Sequence, residues 1–169
     1  MKVKINKFND KAIIPYKTHQ SDFCYDCVAT SCEEVAPNVY KYGLGFGLQI
    51  DRKESVELVN SVTTEKNKGF DVFYGFYNSP INLDIDFRPR SSVWKTGMSL
   101  SNCEGTIDEG YINEISAVFY HVMPNMPKYE VGDRIGQIKI GMTFPMEFIE
   151  VDELNETDRG LGGFGSTGK

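Results

Sequence analysis

Alternation of apolar and polar residues predicts β-strands along much of the chain. The clearest case is residues 81–88, where Ile81, Leu83, Ile85 and Phe87 alternate with polar residues. A period of two residues is typical of a strand with one buried face. Runs rich in aromatic and β-branched residues, separated by Gly, Pro and Asn, predict further strands at residues 39–50, 71–77, 114–123, 134–140 and 147–151. Many short strands indicate a mainly β fold, such as a barrel, a sandwich or a jelly roll.

A different spacing predicts one helix, at residues 52–66. Val56, Val59 and Val62 recur every three residues in this stretch, and charged residues occupy half of the other positions. This pattern places the valines on one face of a helix, and Gly69 would end it. We therefore expect one short helix in an otherwise β-rich chain.

Composition limits the classes of function. A chain of 169 residues with 40% hydrophobic residues can form one domain with its own core. The net charge of −6 argues against a long interface with nucleic acid. No apolar run reaches the length that spans a bilayer, and the first residues lack the apolar core of a secretion signal. We expect a soluble cytoplasmic protein that binds neither nucleic acid nor membranes.

The chain has four cysteines, Cys24, Cys27, Cys32 and Cys103. In a cytoplasmic protein these should be reduced thiols. Cys24 and Cys27 form a CxxC pair, which raises the alternative of a zinc site. Because the chain has no second CxxC and neither histidine has zinc-finger spacing, we expect no bound zinc.

Residues 159–169 differ sharply in composition from residues 1–158. Five of these eleven residues are glycine, so the segment cannot hold a helix or strand by itself. Arg159 and Ser166 can bind phosphate oxygens, the Gly165 amide can approach an anion closely, and Phe164 can stack on a base. These properties favour a mobile lid that closes over a nucleotide, and a disordered tail is the alternative.

Four segments, in order, resemble motifs two to five of the trimeric dUTPases. They are residues 88–92 (RPRSS), 105–111 (GTIDEGY), 132–137 (GDRIGQ) and the tail 159–168. Residues 24–26 (CYD) are similar to the first motif, with cysteine where glycine is usual. The resemblance implies a dUTPase-like β jelly roll that assembles as a homotrimer. Each active site would combine motifs one, two and four of one chain with motif three of the next chain and the tail of the third.

The resemblance implies hydrolysis of dUTP to dUMP and pyrophosphate with magnesium. Asp108 is similar to the catalytic aspartate that activates the water attacking the α-phosphorus. Asp26 is similar to a carboxylate that binds magnesium through water. The substrate-binding residues that the resemblance implies are Arg90, Ser91, Ser92, Asn102, Thr106, Ile107, Tyr111, Gln137, Arg159, Phe164, Gly165 and Ser166.

The same resemblance assigns roles to several of these residues. Asn102 would pair with the uracil edge, helped by backbone groups near Thr106 and Ile107. Tyr111 would lie beneath the deoxyribose and leave no space for a ribose hydroxyl, and Phe164 would cover the base. Arg88 and Arg134 would brace the site.

Two other activities fit a similar fold. A dCTP deaminase shares the jelly roll and the trimer, and a dUTP-binding regulator could have lost catalysis. The intact catalytic-type residues favour dUTP hydrolysis over both. The interval between Asp26 and Ser91 is longer than in compact members of the family that the chain resembles, which indicates an insertion at about residues 52–80. They either pack on the barrel or present a surface for a protein partner.

Overall fold

The computed structural model describes residues 2–51, 82–144, 146–158, 160 and 162. Within these residues the regular structure is almost entirely β-strand, which confirms the predicted mainly β fold. The strands are β1 Lys2–Lys7, β2 Tyr25–Val28, β3 Ser31–Ala36, β4 Val39–Gly43, β5 Phe46–Asp51, β6 Asn82–Pro89, β7 Met98–Leu100, β8 Gly105–Asp108, β9 Ser116–His121 and β10 Arg134–Thr143. A 3₁₀ helix covers Ser91–Lys95. The helix predicted at 52–66 and the strand predicted at 71–77 lie outside the described residues.

The strands form two four-stranded sheets and one two-stranded sheet, all antiparallel. The first sheet has the order β2-β10-β6-β8, the second has the order β3-β4-β9-β7, and β1 pairs with β5. The chain crosses repeatedly between the sheets, as in a jelly roll. The apolar faces enclose one core, whose largest fully buried side chains are Tyr42, Phe46, Phe119, Leu44, Ile115, Ile135 and Cys27.

Strand β6 confirms the clearest sequence prediction. Leu83, Ile85 and Phe87 are buried in the core, as their spacing indicates. Asp86, on the opposite face, is also buried, because the Lys139 ammonium lies 2.8 Å from its Oδ2 atom. A buried carboxylate needs such a partner to offset lost hydration. The second face of this sheet thus carries a paired charge at Asp86.

The prediction of a single strand at residues 39–50 is wrong, because these residues form two strands. The stretch divides into β4 and β5 at Gly45, whose φ of 74° lies in the left-handed region. A strand cannot continue through that conformation, and glycine adopts it at low cost. The chain consequently passes from the second sheet to the pair with β1.

The strand predicted at residues 147–151 is also wrong. These residues have no strand assignment and are exposed, with Phe148 at 88% and Ile149 at 75% exposure. A strand requires a neighbour for its backbone hydrogen bonds, and within the described residues none pairs with this segment. In the part of the chain that the structure describes, this segment therefore has a β-forming composition without a partner strand.

Strand β10 places Gln137 beside two other strands. Gln137 lies opposite Asp26 of β2 and Arg88 of β6. The preceding Gly136 packs directly under the Phe87 ring, where any Cβ atom would collide with that ring. Glycine at this position lets β10 approach β6 closely.

Among the described residues, no helix has the length and apolar character needed to span a membrane.

Candidate active site

Five of the predicted site residues meet in one cavity, here called the hairpin cavity, beside strand β8. Asn102, Thr106, Ile107, Asp108 and Tyr111 all line it. Its volume is about 450 Å³, and its walls also include residues of β7 and β9. A cleft of this size can hold a small organic ligand.

The turn after β8 fixes Tyr111 next to Asp108. The Tyr111 amide donates a hydrogen bond to the Asp108 carbonyl oxygen at 2.9 Å. The Tyr111 hydroxyl donates a second to the Glu114 carbonyl oxygen, also at 2.9 Å. The phenol ring is therefore anchored at both ends, although it is 44% exposed. The Asp108 carboxylate is exposed at the end of the strand, where it can contact water.

Asn102 reaches the same cavity from the turn between β7 and β8. The next residue, Cys103, has a φ of 58°, and the Glu104 amide donates to the Asn102 carbonyl oxygen at 2.6 Å. These features close a tight turn and leave the Asn102 side chain exposed in the cavity lining. Its amide can both donate and accept hydrogen bonds, as recognition of a base edge requires.

A second cavity, here called the arginine cavity, lies at the other edge of the first sheet. It has a volume of about 560 Å³. Three predicted site residues line it, namely Asp26, Arg90 and Gln137. Arg134, which the sequence suggested as a brace, lines it as well, together with His19. His19 was not predicted to be a site residue, because nothing in the sequence around it suggests a ligand.

Asp26 holds both arginines of this cavity. Its Oδ2 atom accepts a hydrogen bond from Arg134 at 2.9 Å. Its Oδ1 atom lies 3.0 Å from the Arg90 Nε atom, a charge contact without the alignment of a hydrogen bond. Asp26 is only 8% exposed, so these contacts compensate its lost hydration. One carboxylate thus fixes two guanidinium groups at the wall of the cavity.

The two cysteines of the CxxC pair have different environments. Cys24 is partly exposed and lines the arginine cavity, whereas Cys27 is fully buried in the core. Burial raises the pKa of the Cys27 thiol, and the neighbouring Asp26 charge raises it further. All four cysteines are free thiols. In the described part of the chain, no group of three or more His, Cys, Asp or Glu residues could hold a metal ion.

The remaining predicted residues lie near these cavities or outside the described residues. Ser91 and Ser92 open the 3₁₀ helix that follows Arg90, next to the arginine cavity but not in its lining. Four predicted lid residues fall outside the described residues, namely Arg159, Phe164, Gly165 and Ser166.

The hairpin cavity and the arginine cavity have no lining residue in common. Asp108 lies opposite Asp84 near the start of β6, whereas Arg90 follows the end of that strand. Arg90 lies six positions after Asp84 in extended chain, which corresponds to about 20 Å between their Cα atoms. Asp108 and Arg90 of one chain therefore lie toward opposite ends of β6.

Comparison with known sequences supports the motif resemblance. The dUTPase family matches this chain over residues 78–168. A deoxyuridine 5'-triphosphate nucleotidohydrolase from Crocosphaera subtropica is 32% identical over 169 residues, which cover 99% of each chain. The enzyme of the same name from Clostridium novyi is also 32% identical, with the same coverage.

Solved structures show the same fold. A mutant dUTPase of Staphylococcus bacteriophage 80alpha with dUpNHpp has a TM-score of 0.70, with 17% identity and 99% of both chains covered. A mutant dUTPase from phage phi11 of S. aureus, with a structural Mg(II) ion, has a TM-score of 0.62 and 14% identity. It covers 92% of this chain and 100% of its own.

Proposed function

The chain belongs to the dUTPase family and hydrolyses dUTP to dUMP and pyrophosphate, and from this premise we propose which residues perform the reaction. The hairpin cavity binds the base and sugar. Asn102 pairs with the uracil edge, together with backbone groups of Thr106 and Ile107. Tyr111 lies beneath the deoxyribose, and its two anchoring hydrogen bonds keep the ring from moving aside for a ribose hydroxyl.

Asp108 is the general base in this proposal. Its carboxylate is exposed at the end of β8 and lies in the same cavity as Tyr111. It orients a water molecule toward the α-phosphorus and accepts a proton as the water attacks. Because a carboxylate is a weak base, much of its contribution comes from positioning the water.

The arginine cavity binds the phosphates. Arg90 and Gln137 supply donors from its lining, and Ser91 and Ser92 supply hydroxyl groups beside it. Asp26 holds Arg90 and Arg134 in place, so these charges need little reorganisation when the phosphate charge redistributes. Donors that are already oriented stabilise the transition state more effectively than mobile side chains.

The donor set fits a magnesium ion that is bound mainly by substrate and water. Two carboxylate oxygens offer about four acceptor positions, and the arginines contact one position on each Asp26 oxygen. Asp26 can therefore also accept a hydrogen bond from a metal-bound water. Magnesium commonly binds in this way, through phosphates, several waters and one or two carboxylates. When bound, the ion would neutralise phosphate charge.

We further propose that the enzyme is a homotrimer with shared sites. The observation that carries this is the separation of Asp108 from Arg90 within one chain, since both must act on one phosphate group. A second copy can bring its hairpin cavity to the arginine cavity of the first. The exposed apolar residues after β10 support assembly, because Phe148 and Leu154 are each 88% exposed. An apolar segment of this kind is typical of an interface.

Residues 159–169 form the lid in this proposal, following a β domain that ends at residue 158. Arg159, Gly165 and Ser166 would contact the phosphates, and Phe164 would cover the uracil when the lid closes.

The four free thiols support a cytoplasmic location, where disulfides rarely form. A role for residues 52–80 in binding a protein partner stays a prediction.

A panel of nucleotides tests the proposed selectivity. We expect pyrophosphate release from dUTP with magnesium, and rates at least a hundredfold lower with dTTP, dCTP and UTP. Ammonia release from dCTP would instead indicate a deaminase, and binding of dUTP without pyrophosphate release would indicate a silent regulator. Comparable rates with dUTP and UTP would contradict the role of Tyr111.

A further inference from the structure

One wall of the arginine cavity is formed by a loop that none of the sequence motifs covers. Thr18, His19, Ser21 and Asp22 precede β2 and line this wall. His19 is exposed to the cavity solvent. It is the only one of these four residues whose side chain can carry a positive charge.

Contacts at three places hold the loop beside Arg134. At its base, Tyr16 and Asp26 exchange backbone hydrogen bonds of 3.3 and 2.7 Å. At its tip, the His19 amide donates to the Asp22 carboxylate at 2.9 Å, and the Asp22 amide donates to the His19 carbonyl oxygen at 3.0 Å. Arg134 donates to the Thr18 hydroxyl at 3.3 Å. The loop therefore keeps a defined position relative to the arginines.

The charges of the cavity leave a need for another cationic or donor group. Arg90 and Arg134 are balanced by Asp22 and Asp26, all four of which line the cavity. A nucleoside triphosphate remains anionic even with one magnesium ion bound. A neutral set of side chains provides little net attraction for such a ligand. An imidazole keeps at least one N–H donor in either protonation state, so it can bind a phosphate oxygen.

We propose that His19 binds the terminal phosphates of dUTP by donating a hydrogen bond from its ring to a nonbridging oxygen. This inference rests on the proposed placement of the phosphates in the arginine cavity. His19 acts in substrate binding and takes no part in proton transfer at the α-phosphorus. Its removal should weaken binding of the substrate while leaving the chemical step nearly unchanged.

Steady-state kinetics of His19→Ala test the proposal. We expect KM for dUTP to rise about 3- to 30-fold, as for loss of a charged hydrogen bond at a partly solvated site, with kcat within about twofold. Gln20→Ala is the matched control, because Gln20 is the next residue of the loop and does not line the cavity. KM should be unchanged in this control. Equal KM values for His19→Ala and the wild type would overturn the proposal.

Inhibitor binding separates a phosphate contact from a general disturbance of the loop. His19→Ala should weaken the binding of the imido analogue dUpNHpp by the same factor as the binding of dUTP. The inhibition constant of dUMP should stay unchanged, because dUMP lacks the terminal phosphates. His19→Gln keeps an N–H donor and should recover part of the affinity, whereas His19→Phe should resemble His19→Ala. Equal weakening of dUMP and dUpNHpp would contradict the contact. Failure of the wild type to release pyrophosphate from dUTP would instead contradict the proposed function.

Discussion

Asp108 and Arg90 lie toward opposite ends of strand β6 in the same chain. Asp108 pairs with Asp84 near the start of the strand, and Arg90 follows Pro89 at its end. The proposed base and the proposed phosphate-binding arginine thus lie toward opposite ends of one strand, about 20 Å apart along it. Because a sheet is rigid, we propose that an active site using both residues draws them from two copies of the chain.

Mixing two inactive variants tests this arrangement. Asp108→Asn and Arg90→Ala chains are unfolded together and refolded in equal amounts. If each site takes Asp108 from one chain and Arg90 from another, each residue is intact in half of the sites, so about a quarter of the sites have both. We expect about 25% of wild-type pyrophosphate release from the mixture and almost none from either variant alone. A mixture that stays inactive, while native mass spectrometry shows mixed trimers, would place both residues in the same chain.

Replacement of Asp108 by asparagine should abolish most turnover without unfolding the protein. The amide keeps the shape of the side chain but cannot accept the proton, so kcat should fall by about 10²- to 10⁴-fold. The melting temperature and the affinity for dUpNHpp should change little. Asp10→Asn is the control, because Asp10 is exposed and lines neither cavity. A kcat close to that of the wild type would refute the role of Asp108.

Asp26→Asn should affect both stability and metal dependence. Losing the charge leaves Arg90 and Arg134 without their counterion, which should lower the free energy of unfolding by about 1–3 kcal/mol, since both arginines are partly solvated. The magnesium concentration for half-maximal rate should rise several-fold. Glu33→Gln, an exposed change on β3, serves as control. An unaltered magnesium dependence would limit Asp26 to bracing the arginines.

The buried Cys27 thiol should make the fold less stable at alkaline pH. Burial raises the pKa of Cys27 above its value of about 8.5 in an unfolded chain. Its contribution to the free energy of unfolding is complete below pH 8.5. At higher pH that free energy declines by up to about 1.4 kcal/mol per pH unit, because the thiol then ionises only in the unfolded state. Denaturant unfolding between pH 8 and 10 measures this slope. Cys27→Ala should flatten it, and an identical slope in the variant would assign the effect to other groups.

Truncation after Asp158 should separate the lid from the β domain. Glycine has no side chain to bury, so loss of this glycine-rich segment should leave the oligomeric state unchanged and the melting temperature within about 2 °C. Its kcat/KM should fall by at least tenfold, because Arg159, Phe164 and Ser166 are lost. Sedimentation, thermal melts and pyrophosphate release check this. A large drop in melting temperature would assign the tail a structural role.

Local patterns in the sequence were sufficient for those elements whose burial has a simple period. The alternation of Leu83, Ile85 and Phe87 with polar residues predicted β6, because a strand with one buried face needs that pattern. Short strands without a buried face carry no such period. Strand β3, for example, is exposed along its length, and its pairing with β4 gives no signal in its own residues.

The ordered motifs determined the family and the identities of most candidate residues, because phosphate and base recognition require particular side chains. Tertiary structure alone decided where these residues lie. It paired Asp26 with Arg90 and Arg134 across distant parts of the chain and placed His19 in the same cavity. It also kept Asp108 about 20 Å from Arg90 along β6. Among the described residues it provided no neighbouring strand for residues 147–151, and a strand forms only where a neighbour accepts its hydrogen bonds. These outcomes depend on contacts between residues far apart in the sequence, which no local pattern encodes.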